Sequence, residues 1–339
     1  MPRRRYIFII FILLITLLLT ALYGIAAGAV AIPFKEVVKA LVFFHYGHHE
    51  DTSFTILFGL RLPRVILAIA VGASLSVAGA GFQGFFRNPL ADPYVIGASS
   101  GAALGAALAI VLSLPAIGPV PAVSLCAFAG ALLATVLAFG LSRFAGDPPP
   151  AVALLLAGTA LSAFFSALLS LILVIKDKDM HRVYYWLLGG LGLSSWAELL
   201  TASPIMIFGA ALVYIASRPL DILIQGDDVA HSLGIDVRRL RILVASGASL
   251  TAAAAVASAG IIGFVGLIAP HAMRIMVGPK HQRLLPAAAL GGALLVLVAD
   301  IMARTIAAPL ELPIGIITSI IGAPFFIALL FKRGRHLGS

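Results

Sequence analysis

The ionisable side chains of this chain are few, and their grouping limits the chemistry they can do. Only 11% of its 339 residues are Asp, Glu, Lys or Arg, so each cluster stands against an apolar background. The largest is Gly226–Arg241, GDDVAHSLGIDVRRLR. Asp227 or Asp228 can cap a short helix running to Leu233, Gly234 can end it in a left-handed turn, and Asp236 can cap the next segment. Val229, Ala230 and Leu233 would form its small apolar face, with Asp227, Asp228, Arg238, Arg239 and Arg241 as a charged rim. A plain turn between apolar runs needs fewer polar residues than this. The segment suits contact with a protein outside the bilayer; a solvated loop is the alternative.

Other polar groups are weighed in the same way. His45, His48 and His49 stand beside Glu50 and Asp51, but their spacing fits no rigid metal motif and no metal site is expected. Neither GxxxxGKS nor GxxxxGKT occurs, so the chain has no phosphate cradle of that kind. HExxH and paired intramembrane acids are absent, which argues against a membrane-embedded enzyme and leaves no catalytic residue to name. Asp300 is the one ionisable group deep in an apolar run, and Arg304 has the i,i+4 spacing of a helix ion pair with it. An ion-coupled secondary transporter would carry more such groups, and it stands as the rival class.

An apolar frame must position these groups. Hydrophobic residues make up 61% of the sequence and the formal charge is +9. That composition excludes a soluble domain of ordinary size, and the charge has a topological cause rather than a nucleic-acid partner. Ten candidate spans cover 6–27, 63–85, 93–114, 119–143, 150–175, 199–217, 242–264, 267–278, 284–306 and 314–331. The eighth is short for a crossing. The first, behind Arg3, Arg4 and Arg5, resembles a signal peptide, but its length and the nine spans after it favour an uncleaved helix. With the N-terminus inside, 15 Lys and Arg fall on the inner side and 8 on the outer. That asymmetry places both termini, and 226–241, in the cytoplasm. The expected fold is an all-α, polytopic membrane protein forming one transmembrane domain over 1–339.

Small residues suggest how the spans pack. Gly97, Gly101 and Gly105 repeat at four, and Gly260, Gly263 and Gly266 at three, as they do in closely packed membrane helices. Cys126, the only cysteine, reads as packing. Ala80–Phe85 echoes Ala259–Phe264 in a span of opposite direction, a weak sign of an inverted repeat or a chance match. The segment 32–44 reads as an interfacial amphipathic helix, and Lys176–Asp179 as an exposed turn.

Within this frame several motifs follow one another in order. They are Arg61-Leu62-Pro63-Arg64, Gln83, Arg87-Asn88-Pro89-Leu90-Ala91-Asp92-Pro93 and Gly97-Ala98-Ser99-Ser100-Gly101. Trp186–Leu191, the 226–241 segment, Gly263–His271, Glu311–Gly315 and Gly322-Ala323-Pro324 continue the series. The whole resembles the permease subunits of binding-protein-dependent ABC importers for iron chelates, haem and vitamin B12.

The resemblance implies a homodimer or close heterodimer with ten helices per subunit in a bacterial or archaeal cytoplasmic membrane. Two partner ATPase subunits would hold ATP and Mg²⁺, leaving no cofactor on this subunit. A periplasmic or lipid-anchored binding protein would deliver the substrate. It assigns ATPase coupling to 226–241, through Asp227, Asp228, Val229, Ala230, Leu233, Gly234 and Arg238. Arg61, Arg64 and Arg304 would dock the binding protein, with snorkelling or a local Asp300 pair as the alternative. Pro150, Ala151 and Val152 match the cytoplasmic gate, or a stiff loop terminator. Gln83, Asn88 and Pro89 either shape the pathway or satisfy buried backbone groups. The wording of the motifs leans towards an iron complex, with cobalamin as the alternative.

Overall fold

The computed structural model describes residues 1–28, 33, 35, 37, 54–146, 151–192 and 194–337, with backbone only from 329. The histidine cluster at 45–51, most of the 32–44 segment and the prolines at 148–150 lie outside the described residues. Among the described residues the chain is helical, with no strand. Helix α1 is Arg3–Ala26, and a π-helical stretch, Thr55–Arg61, runs into α2, Leu62–Phe85. There follow α3 (Ala98–Val111), α4 (Ala122–Ser142), α5 (Ala151–Ile175), α6 (Met180–Leu187) and α7 (Trp196–Ile215). The second half holds α8 (Ser217–Leu223), α9 (Asp227–Ser232), α10 (Val237–Ala259), α11 (Val265–Val277), α12 (His281–Thr305) and α13 (Ile314–Leu337). Seven described stretches, in α1, α2, α4, α5, α7, α10 and α12, are long and apolar enough to cross a membrane. Helices α3 and α11 and the first part of α13 are shorter apolar helices.

Helix α2 is the centre of the bundle, packed by α7, α10, α11 and α12. Its run of Gly, Ala and Ser makes it thin enough for backbones to touch. A Cβ on Gly72 would lie 2.2 Å from the Gly292 carbonyl, and one on Gly79 would lie 1.9 Å from that of Gly266. Such contacts replace the hydrophobic drive that lipid does not supply. Helices α1 and α5 are apolar on all sides and expose most of their surface, as helices facing lipid do.

The glycine repeats divide. Gly101 and Gly105 do face α4, against the carbonyls of Gly130 and Cys126, while Gly97 is the left-handed residue before α3. Gly260, Gly263 and Gly266 form no helix stripe: α10 stops at Ala259, and the chain is broken until Val265. In the break Gly260 and Phe264 have φ of +66° and +67°. Ala80–Phe85 is helix whereas most of 259–264 is not, so that sequence echo does not mark equivalent structures. The break meets the 86–97 turn, where Tyr94 Oη donates to the Ile262 carbonyl at 3.2 Å.

Candidate functional site

At one end of the bundle α2, α8, α9, α10 and α12 meet the N-terminus. Arg283 donates to the Met1 carbonyl at 2.8 Å. The backbone N–H of His281 donates to Asp221 at 2.9 Å, and its Nδ1 lies 2.6 Å from the same oxygen. The short helix α9 is the one expected in 226–241, with two corrections. Gly226, at φ +139°, occupies the N-cap, and neither aspartate does. Asp227 lies in the first turn, where its carboxylate holds Arg87 from the end of α2 and, at 2.8 Å, Arg241 from α10.

The far end of α9 closes as the residue types require. Gly234 has φ +77°; its N–H donates to the His231 carbonyl at 2.9 Å, and that of Ile235 to Ala230 at 3.0 Å. These paired bonds, with a left-handed residue after the helix, stop α9. Asp236 then caps α10 by accepting from the Arg239 N–H at 3.0 Å. The expected apolar face is split, a second correction. Ala230 is fully buried and anchors α9, while Val229 and Leu233 are 39% and 63% exposed. Asp228 and Arg238 are exposed nearby. An apolar pair with a charged rim therefore stands on a helix tied down at both ends.

The 83–92 region adjoins it. Arg87, at φ +51°, ends α2 in the same kind of closure, with Asn88 N–H donating to the Gln83 carbonyl at 3.0 Å. Asn88 Oδ1 accepts from Leu90 N–H at 3.0 Å, so Asn88 and Pro89 build a turn. Gln83 is buried between α2 and α11: its amide donates to the Gly266 carbonyl at 3.3 Å, and its oxygen accepts from Arg274 at 2.8 Å. Asp92 accepts from Tyr94 N–H at 2.9 Å, and burial pushes its carboxyl up to about 6. Of the gate residues, Ala151 is half-buried and Val152 exposed in the first turn of α5. That helix leans on the 86–97 turn at Gly158, whose Cβ would lie 2.5 Å from the Val95 carbonyl.

At the other end the three arginines expected as docking cations are buried, at 7%, 9% and 4% exposure for Arg61, Arg64 and Arg304. Asp300 takes Arg64 at 2.9 Å and Arg304 at 3.1 Å, and Arg64 also reaches Glu311 at 2.9 Å. Arg61 donates to the carbonyls of Ile25 and Ala26 at 3.0 and 2.7 Å. Arg304 donates to those of Ala27 and Gly24 at 3.0 and 3.1 Å. The last carbonyls of a helix lack partners within it, and guanidinium forks supply the missing donors. The local Asp300–Arg304 pair is present, and Arg64 and Glu311 extend it. Sequence spacing showed the i,i+4 pair but not the partners from α1, α2 and the 306–313 turn.

Both the sequence and the fold match known proteins. The model of the FecCD transport family matches residues 13–332. The chain is 40% identical over 324 residues to the hemin transport system permease protein of Yersinia pestis, covering 95% of this chain and 94% of that one. It is 39% identical over 323 residues to the Fe(3+) dicitrate transport system permease protein FecD of Escherichia coli K12, covering 95% and 98%. The cobalamin import system permease protein of Halobacterium salinarum is 45% identical over 284 residues, covering 84% and 75%. A solved metal-chelate type ABC transporter, in an inward-facing conformation, superposes with a TM-score of 0.84 at 33% identity, covering 96% and 99%. The chain thus belongs to the FecCD transport family, as a membrane-embedded permease subunit of an ABC importer.

Proposed function

We propose that this permease carries an iron complex, a ferric siderophore or haem, into the cytoplasm, with energy from a separate ATPase. The observation that carries the coupling part is the exposed pair Val229 and Leu233 on a helix fixed by Asp227 and Ala230. An apolar pair at a polar end calls for a protein surface to cover it. Cobalamin is the second reading, favoured by the 45% identical Halobacterium relative.

On this reading 1–339 is one domain crossing the membrane ten times, in α1, Thr55–Phe85, α3, α4, α5, α7 and α10–α13. Both termini are cytoplasmic; the Arg283–Met1 bond, which keeps the N-terminus at the α9 end, supports this. A second copy completes a central pathway with Pro150, Ala151 and Val152 at its inner gate, and Gln83, Asn88 and Pro89 holding the wall beside it. Two ATPase subunits bind ATP and Mg²⁺ below, and a binding protein docks above. Docking by Arg61, Arg64 and Arg304 then works by exchange: an acidic partner residue competes with Glu311, the exposed member of the cluster, for Arg64.

The test is uptake into proteoliposomes holding the permease, its ATPase and its binding protein, with ferric siderophores, haem and cobalamin as substrates. ATP-dependent uptake of an iron complex is expected. Uptake that persists without ATP and collapses with the proton gradient would sink the proposal in favour of an ion-coupled transporter.

A further inference from the structure

At the end of the bundle that carries Glu311, a cavity of about 460 Å³ lies between α4, α6, the start of α7 and the end of α10. It reaches Gly192, where a Cβ would sit 3.4 Å from Glu311 Oε2. Most of its wall is apolar, yet Glu198, only 7% exposed, lines it. A smaller cavity of about 90 Å³ shares Ser124, Glu198, Ala257 and Ser258 with it, so the carboxylate stands where two spaces meet.

The local sequence makes this placement informative. Ser195-Trp196-Ala197-Glu198 has the pattern of a capping box, in which the Glu side chain turns back to the N–H of the capping Ser. Half of the box forms: Ser195 Oγ accepts from the Glu198 N–H at 3.2 Å. The carboxylate instead crosses to α4 and accepts from Ser124 Oγ at 3.2 Å. Among the described residues Glu198 makes no ion pair, and a carboxylate that keeps its charge in an apolar wall needs a counter-charge. Arg182, also on the lining, is 67% exposed at its side chain and pairs with Asp179 at 3.7 Å, turned towards solvent.

We propose that this chamber binds a small organic ammonium, with Glu198 as its counter-ion and Ser124 orienting the carboxylate. The space far exceeds that of a bare metal ion. The nearby hydroxyls of Ser258 and Thr201 are donating to their own helices, at 3.1 and 2.9 Å, rather than converging as a ring of ligands. Trp186 and Tyr185 add aromatic surface, which with a carboxylate suits an ammonium group. The ammonium can come from a soluble amine or from a phosphatidylethanolamine headgroup; the recognition is the same.

Trp186 supplies the readout, because the chain has only two tryptophans. With Trp196→Phe as the parent, purified permease in phosphatidylglycerol nanodiscs is titrated with methylammonium against potassium at equal ionic strength. A saturable fluorescence change is expected for methylammonium alone. Glu198→Gln should raise the half-saturating concentration at least tenfold, and Ser124→Ala several-fold. Phosphatidylethanolamine in the nanodisc should raise it in the parent if the headgroup competes, and leave it unchanged if the ligand is soluble; both results support the chamber. No saturable change, or the same titration in parent and Glu198→Gln, would overturn it. Should Glu198→Gln fail to fold, Ser124→Ala decides by the same criterion. No ATPase or transport substrate enters the measurement, so its outcome is independent of the importer assignment.

Discussion

Asp227 holds the Arg241 guanidinium at 2.8 Å with one carboxylate oxygen while the other holds Arg87. One side chain thereby joins α9 to the start of α10 and to the end of α2. Since α2 is packed by α7, α10, α11 and α12, the proposed coupling role would carry a force on α9 to the middle of the bundle. The backbone at the Arg87 end of the linkage is set by a helix closure of its own, at φ +51°.

Replacing Asp227 with Ala should separate folding from coupling. The Arg87 and Asp227 side chains are each 37% exposed, but that of Arg241 is only 12% exposed, so the change should cost about 1–3 kcal/mol of stability. Ala230 still anchors the helix. We expect a modestly lower thermal midpoint with the permease still folded, ATP hydrolysis by the assembled complex near normal, and substrate uptake reduced at least tenfold. Uptake at the wild-type rate would show that the clamp transmits nothing.

Leu233 and Gly234 separate the contact surface from its support. Leu233→Asp alters a side chain that is 63% exposed, so the isolated permease should fold normally while co-purification of the ATPase is lost. Gly234→Pro acts on the backbone: φ +77° is closed to proline, and the N–H given to His231 disappears. Loss of coupled uptake is expected in both, with a drop in thermal midpoint only for Gly234→Pro. Normal uptake in both variants would exclude α9 as the coupling element.

These residues also show which parts of the structure the sequence carries. Local rules worked where the partner was local: Asp236 caps α10, and Gly234 is left-handed. They failed at Asp227, which has the residue type of a cap but pairs with Arg87, 140 positions away. The long helices are legible because about 20 apolar residues leave few alternatives. The break at 260–264 was hidden, since Ile261, Ile262 and Phe264 continue the apolar run and nothing marks the left-handed Phe264. Helix α6 went unread, its eight residues being too short to show a period. Around Arg61, Arg64 and Arg304 only the Asp300–Arg304 pair is legible, because the other acceptors, Glu311 and the carbonyls of α1, are far away in sequence.

Asp300 tests the buried cluster. It is fully buried between two arginines, and Asp300→Asn would leave Arg304 and Arg64 with Glu311 as their only carboxylate among the described residues. Breaking a buried pair from one side costs ~3–5 kcal/mol, chiefly from the charge left behind. The thermal midpoint should fall sharply. Asp300→Leu combined with Arg304→Met should lose less than Asp300→Leu alone. An unchanged midpoint for Asp300→Asn would mean that hydration, rather than the Asp300 charge, stabilises the arginines.

Gly79 and Gly263, both in apolar runs, should respond differently to Ala. At Gly79 the new Cβ would sit 1.9 Å from the Gly266 carbonyl, which belongs to the backbone and cannot turn aside. Separating α2 from α11 should cost ~1–3 kcal/mol or more. At Gly263 nothing lies within 4 Å, so Gly263→Ala should leave the midpoint unchanged. Equal effects at the two sites would contradict the packing of α2 at the centre.

The pH dependence of stability is expected to include a contribution from Asp92. Its carboxyl is raised from 3.8 to about 6 because burial disfavours the charge, and the Tyr94 N–H only partly offsets this. The folded state therefore binds a proton more tightly than the unfolded chain. This contribution favours folding at acid pH, weakens as pH rises from about 4, and is gone above about 6. The shift corresponds to at most ~3 kcal/mol across that window. Asp92→Asn keeps an oxygen that can accept from Tyr94 and removes the buried charge. It should raise the thermal midpoint at pH 7.5, do little at pH 4, and flatten the slope between them. A midpoint that falls at pH 7.5 would show that the ionised carboxylate has a stabilising partner, and would reverse the sign assigned here.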